Sequence, residues 1–318
     1  MQLPFSLFKH SNQILGVDIS EQDANVALVR SVFQKSETRI ADAELLTGEE
    51  DEQLVHTLSR RIKDIASLRI PVVSVLSTQD YQLLQIQPPQ VKESEMKMAV
   101  GWQIKDLITL PLNQTLIDYF PAPAVPGQEQ MIYVVAADMQ AVQRRVDFLQ
   151  QAKLKIRAID IPELVLRNIV RLEEESAGNL ALLYMEQDSG IILIFKKAAL
   201  CLSRKVRTGW ADLQPEDRTE RESELLESED TISPALESIL LDLQRTFDYF
   251  ESNFRSNPVS TLLLDPQLGD APELQDYLQQ NLDLSVRLLD IQSIIGQELT
   301  YQEQGRYLFA LGCSLKSG

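Results

Sequence analysis

Residues 14–20 read ILGVDIS: an apolar run that meets a single aspartate and then a polar turn. In an α/β fold that handles phosphate, a buried strand ending in Gly-x-Asp-x-Gly supplies backbone N–H groups to the phosphates and a carboxylate to hydrated magnesium. Here Gly16 and Asp18 stand in place, and Ser20 replaces the second glycine. The acids Glu21 and Asp23 follow, and carboxylates beside a polyphosphate are electrostatically unfavourable. The stretch predicts a first core strand, and the residues after it argue against a phosphate loop.

Reading outward, ANVALVRSVF at 24–33 continues the apolar pattern, so 14–33 predict a hairpin. Leu54, Leu58, Ile62 and Ile65 predict a helix over about 50–68, and PVVSVL at 71–76 a buried strand. From Tyr81 the pattern changes. The strand YQLLQIQ runs into Pro88-Pro89, and a helix over about 92–108 follows, with Glu93 and Glu95 at its positive end. Strands at TLIDYF and QMIYVVAA, a helix over 139–152 and the strand LKIRAIDI complete a β-α-β-β-α-β order of ferredoxin type.

The second half restarts with a helix over 162–175, and NLALLYME, GIILIFKK and ALCLSRKVRTG predict three consecutive strands. Residues 211–230 hold nine acids against Arg218 and Arg221, the composition of a solvated loop. Leu236, Ile239, Leu240, Leu243, Phe247, Phe250 and Phe254 then form one wide helical stripe, read as core. The strand PVSTLLLD, a helix at APELQDYLQQNL and a closing helix through Leu308, Phe309 and Leu311 complete the second half.

A chain of 318 residues suggests about two domains. Its net charge of −17 repels nucleic-acid phosphates and anionic lipid headgroups, so neither is an expected partner. No apolar run approaches the roughly 20 residues that cross a bilayer. MQLPFSLFKH at the start lacks a secretory pattern and reads as an apolar docking strand or arm. Two cysteines in apolar surroundings predict buried thiols, and His10 and His56 provide no metal cluster.

The order of elements and several motifs together resemble the PilM family of actin-like proteins from type IV pilus assembly. The residues that carry this are GVDIS at 16–20, LQIQPPQVKESEMKMAVGWQIKDLITLPLNQTLIDYF at 84–120, and MIYVVAADMQAVQRRVDFLQQAKLKIRAIDIPELVLRNIV at 131–170. LCLSRKVRTG at 200–209, LDLQRTFDYF at 241–250 and LFALGCSLK at 308–316 follow in the same order. The resemblance implies an α/β fold with an actin/Hsp70-like duplicated core of ribonuclease-H type and an inserted sub-domain of ferredoxin type shared with FtsA. The expected parts are 1–79 with the closing helix 298–318, the insert 80–158, and 159–297 with a reduced acidic insert at 211–230.

It further implies a cytoplasmic protein, peripheral to the inner membrane through a protein partner. That partner would be a PilN-like bitopic inner-membrane protein, bound by its cytoplasmic tail, with the pilus assembly motor beyond it. Trp102, Asp106, Leu107 and Ile108 are the partner-binding candidates; Trp102 lies off the stripe of Met96, Val100, Ile104 and Leu107. It reads equally as an exposed anchor or as packing between insert and core.

The nucleotide positions that the family implies are Gly16, Asp18, Ser20, Asp188 and Gly190. The second hairpin reads MEQDSG, and Asp265-Pro266-Gln267-Leu268 stands where a Gly-Gly turn would admit adenine. Pro266 fixes its own φ and lacks an N–H. No cofactor is therefore expected, ATP with magnesium is disfavoured, and no residue stands out as a catalytic base. Close backbone packing for Gly16, and a strand-end hydrogen bond for Asp18, are the alternative roles. A nucleotide-binding ATPase, or a component of type II secretion of the GspL kind, are the alternative functions.

Overall fold

In the computed structural model the described residues are 13–20, 25–34, 37–47, 56–57, 60–61, 70–173, 178–214 and 233–316. They fall into two compact units: 1–169 with 306–318, and 170–305. The chain passes between units within two helices, which moves the boundaries by about ten residues from those expected at 159 and 297.

In the first unit, β1 (Gln13–Ser20), β2 (Asn25–Gln34) and β3 (Glu37–Thr47) form an antiparallel meander. The strands β4 (Pro71–Val75) and β8 (Lys155–Asp160) add in parallel beside β1, giving the order β3-β2-β1-β4-β8. The second unit repeats this plan. Here β9 (Asn179–Met185), β10 (Gly190–Lys196) and β11 (Ala199–Val206) make the meander, and β12 (Val259–Leu264) and β13 (Ser285–Leu288) the parallel pair. The order β11-β10-β9-β12-β13 is the first sheet over again, so the core is duplicated.

The strands β3 and β13 have no counterpart among the elements predicted from the sequence. Two-residue alternation is interrupted in ETRIADAELLT, and SVRL offers only four positions. Most of the helix expected over 50–68 lies outside the described residues, though 56–57 and 60–61 are helical. The opening arm and the acidic stretch from 215 also lie outside them; Ala211–Leu213 form a short 3₁₀ helix.

The expected β-α-β-β-α-β order is present, and strand pairing divides it. The strands β5 (Tyr81–Ile86), β6 (Thr115–Pro121) and β7 (Ile132–Asp138) form their own antiparallel sheet, order β5-β7-β6, while β8 joins the core sheet. Helix α1 (Glu93–Ile104) covers one face of this small sheet. Its Val100 and Ile104 meet Ile86, Ile132, Val134 and Ala136. The alternate residues Leu83, Phe120 and Val135 pack the other face against Val142 of α2 (Met139–Gln151) and Leu164 of α3 (Pro162–Val170). With both faces covered, β7 is buried along almost its whole length.

In the second unit, α4 (Pro234–Phe254) turns Ile239, Leu243, Phe247, Phe250 and Phe254 into the core, as the stripe predicts. Then α5 (Pro272–Asn281) connects β12 to β13, α6 (Gln292–Ile295) is one turn, and α7 (Tyr301–Ser314) returns to the first unit.

The β10–β11 connection is two residues long, with Lys197 and Ala198 at φ 48° and 52°. This is the geometry of a type I′ turn, which favours Asn-Gly over side chains that strain there. Lys197→Asn with Ala198→Gly is expected to stabilise the protein by about 1 kcal/mol, read as a rise in urea midpoint at unchanged slope.

Candidate functional site

Gly16 lies mid-strand, where a side chain would normally pack. A Cβ there would lie 1.9 Å from the Ala310 carbonyl oxygen and 2.6 Å from the Ser314 nitrogen, both backbone atoms of α7. The helix therefore rests directly on β1. Gly312 repeats the device from the helix side, where a Cβ would come 2.4 Å from the Val165 carbonyl oxygen. The last carbonyls of α7 find side-chain donors: Asn168 Nδ2 donates to Gly312 O at 3.0 Å, and Ser31 Oγ donates to Ser314 O. Lys316 Nζ, just beyond the helix, reaches Asp160 Oδ2 at 2.5 Å.

Asp18 is partly buried at the end of β1. Burial pushes its carboxyl up to about 6, against the lowering pull of the Arg145 guanidinium and a backbone hydrogen bond from Ile19. That guanidinium donates to Ile19 O at 3.1 Å, so Asp18 belongs to a strand-end hydrogen-bonded group. Ser20 is half-buried and pairs with Asn25 across the hairpin; the turn between them lies outside the described residues.

In the second unit, MEQDSG forms the β9–β10 turn. Glu186 N–H donates to Ser189 O at 2.7 Å, and Asp188 is exposed at the tip. Gly190 is buried in the ladder opposite Met185, so Asp188 and Gly190 do not converge. The turn is also covered. A Cβ on Gly209 would lie 2.3 Å from Gln187 O, and Trp210 and Ala211 donate their N–H groups to Glu186 O and Gln187 O at 2.7 and 2.9 Å.

The stretch after β12 is a 3₁₀ helix, Pro266–Asp270. Asp265 caps it, accepting from Gln267 N–H at 3.1 Å and Gln267 Nε2 at 2.9 Å. The same amide donates to Met185 O at 2.5 Å, tying the turn to β9. Burial raises the Asp265 carboxyl to about 7, opposed by the hydrogen bonds it accepts from Gln267 and from Met185 N–H. Pro266 and Leu268 are buried, and the ring of Tyr301 lies over Gly269, where a Cβ would sit 2.5 Å from it. Open glycine backbone at this turn is thus replaced by a packed one. Gln267, Gly209 and Tyr301 carry these contacts, and no local pattern marks them in the sequence.

Helix α1 provides the other kind of site. Its inward residues are core, yet Trp102 is 63% exposed and Met98 66% exposed on the opposite side. Val91, just before the helix, is also exposed. Met98 and Trp102, four residues apart, share that side of the helix, and Val91 precedes it. Of the partner candidates, Trp102 and Asp106 are exposed, so Trp102 is not packed between insert and core. Leu107 departs from the expected inward stripe and is 58% exposed, because the helix ends at Ile104 and the chain turns there. Ile108 packs inward against the insert core. Met98 and Val91 escaped the reading, although apolar residues on both sides of one helix are a legible signal.

No family model matches the chain, and no curated protein matches it in sequence. Solved structures do match in fold. A PilM–PilN type IV pilus biogenesis complex aligns at TM-score 0.68 and 20% identity, over 95% of this chain and 97% of that one. A Bacteroides thetaiotaomicron protein of actin-like ATPase fold and unknown function aligns at 0.50 and 12% identity, over 90% and 96%. The cytoplasmic domain of EpsL, an inner-membrane component of the Vibrio cholerae type II secretion system, aligns at 0.48 and 12%, over 96% and 98%. The chain has an actin-like fold.

Proposed function

We propose that this protein is a non-catalytic adaptor of a type IV pilus assembly machine, of the mannose-sensitive haemagglutinin (MSHA) type and the MshI kind. It binds the cytoplasmic tail of a PilN-like inner-membrane protein and links that protein to the assembly motor, working on the cytoplasmic side without entering the membrane. The observation that carries the reading is the exposed apolar pair Met98 and Trp102 on the outer side of the insert helix, with Val91 exposed just before it, a surface that water disfavours and a partner would cover. The fold it shares with PilM, whose solved structure is a complex with PilN, supports the choice of partner. That no helix among the described residues is long and apolar enough to cross a membrane is consistent with anchoring through a protein.

The non-catalytic part rests on the nucleotide positions. Gly16 lies under α7, Asp188 is exposed at its turn while Gly190 is buried in the ladder, and Tyr301 covers Gly269. Thermal unfolding with Mg-ATP tests it. A bound nucleotide at a hundred times its Kd stabilises by about 2.7 kcal/mol, so the expected result is an unchanged Tm. A rise of several degrees that vanishes in Asp18→Ala shows a bound nucleotide and overturns the non-nucleotide reading. For the partner, the intact protein is expected to retain the tail of the PilN-like membrane protein on an affinity resin. Trp102→Ala should weaken retention about tenfold or more, as loss of a buried aromatic anchor does.

A further inference from the structure

We propose that a cavity in the second unit binds an aliphatic di- or polyamine, an inference that stands independently of the adaptor reading. The cavity measures 540 Å³ and lies beyond the carboxyl ends of the parallel pair β12 and β13, where sheets of this kind place their ligands. Its volume is within the range of about 300–1,000 Å³ that small-molecule sites occupy. Every residue lining it belongs to the 170–305 unit. Leu288, Leu299 and the Tyr301 ring provide apolar wall, and Asp270, Asp290 and Gln304 provide polar groups that an occupant would meet.

These polar groups present acceptors. Gln304 is only 6% exposed and its Nε2 reaches the Leu299 carbonyl at 3.4 Å, yet its Oε1 has no partner among the described residues. The Asp270 carboxylate likewise has none among them, and Asp290 uses only Oδ1, which accepts from Ser293 N–H at 3.2 Å. Gln292 and Thr300 also line the cavity and are engaged close by: Gln292 Oε1 accepts from Leu299 N–H at 3.0 Å, and the Thr300 hydroxyl donates to Glu303 at 3.0 Å. No lysine, arginine or histidine is among the described residues that line the cavity. The stretch 256–305 holds eight acids and one basic residue, Arg287, which is turned to Glu173 at 2.5 Å.

An ammonium group carries three N–H donors and no acceptor, the complement of this wall. Two carboxylates beside apolar surface suit two ammonium groups joined by methylenes better than a single cation: the methylenes lie on leucine, and an ammonium meets the face of a tyrosine. A nucleotide would instead bring its phosphates to the carboxylates. A metal ion needs several oxygens converging on one point, and among the described residues no three acidic, histidine or cysteine side chains do so.

Titration calorimetry of the intact protein with putrescine and with spermidine, at constant ionic strength, tests this. Each is expected to bind saturably, one per chain. The Asp270→Asn, Asp290→Asn double variant should weaken binding at least about tenfold. The Asp276→Asn, Asp283→Asn pair, exposed acids of the same unit outside the cavity, should leave it unchanged. All four side chains are exposed and the change at 290 keeps an oxygen for Ser293 N–H, so both variants are expected to fold, which circular dichroism checks. Equal weakening in the two double variants, or several amines per chain, means diffuse attraction to an acidic surface and overturns the site. Magnesium chloride that displaces putrescine at equal concentration makes the occupant an inorganic cation. Nα-acetyl-lysine methylamide that binds as tightly as putrescine makes it a protein's lysine. Either result overturns the proposal, as does the absence of binding, and all of these leave the adaptor reading intact. Displacement of the amine by Mg-ATP overturns the proposal and the non-nucleotide reading together.

Discussion

Gly16→Ala is expected to destabilise the protein by at least about 3 kcal/mol, enough to leave much of it unfolded at 37 °C. The new methyl would meet the Ala310 carbonyl oxygen at 1.9 Å and the Ser314 nitrogen at 2.6 Å, and neither is a side chain that can swing away. Relief requires moving α7 off β1. That helix end is also held by Asn168, Ser31 and Lys316, so displacement breaks several hydrogen bonds together. Gly312→Ala, against the Val165 carbonyl, should behave alike. Asp188→Ala, at an exposed turn, should change stability by no more than about 0.5 kcal/mol. Urea unfolding of the three variants checks the set. A Gly16→Ala protein as stable as the parent would mean that α7 does not lie on β1.

The second large effect is in pH. Asp18 and Asp265 have carboxyls raised to about 6 and about 7 from an ordinary 3.8. Between the ordinary and the raised value the folded state holds protons that the unfolded chain has released. Stability from these groups is therefore fully present below about pH 4 and is lost as pH rises through 6 and 7. Each unit of pH in that window costs about 1.4 kcal/mol per group. From pH 8 down to pH 5.5 the two together should add about 3 kcal/mol, about 2 of them through Asp265. Asp265→Asn keeps an oxygen to accept from Gln267 and cannot titrate. It should remove most of that gain, measured as the difference in unfolding free energy at the two pH values. An Asp265→Asn protein with the parent's full pH dependence would rule out a protonated Asp265 at neutral pH.

Much of this fold is legible in the sequence. The hairpin at ILGVDIS, the proline-stopped strand before α1, and the phenylalanine stripe of α4 each have a period or a punctuation that only one element satisfies. The strands β3 and β13 were not legible, because alternation breaks in ETRIADAELLT and SVRL is only four residues long, whereas the edge strands β8 and β11 carry enough pattern to be read. Nor was the division of the insert. The string LKIRAIDI reads as a strand wherever it pairs, and whether it closes the small sheet or extends the large one is settled by β4 lying beside it.

The site divides along the same line. Sequence alone determined that the chain carries two α/β halves with an addition inside the first, and that Ser20, the acids after it and Pro266 differ in residue type from the nucleotide site its resemblance implies, which is visible without a fold. Only the tertiary structure decided what the retained residues do. Gly16 is a glycine because α7 crosses it, and Gly269 lies beneath Tyr301, about thirty residues further along the chain. Trp102 faces water because Val100 and Ile104 have already claimed the side of α1 that meets the sheet. Residue type is a local property, whereas close approach and exposure depend on which distant segment the chain brings alongside.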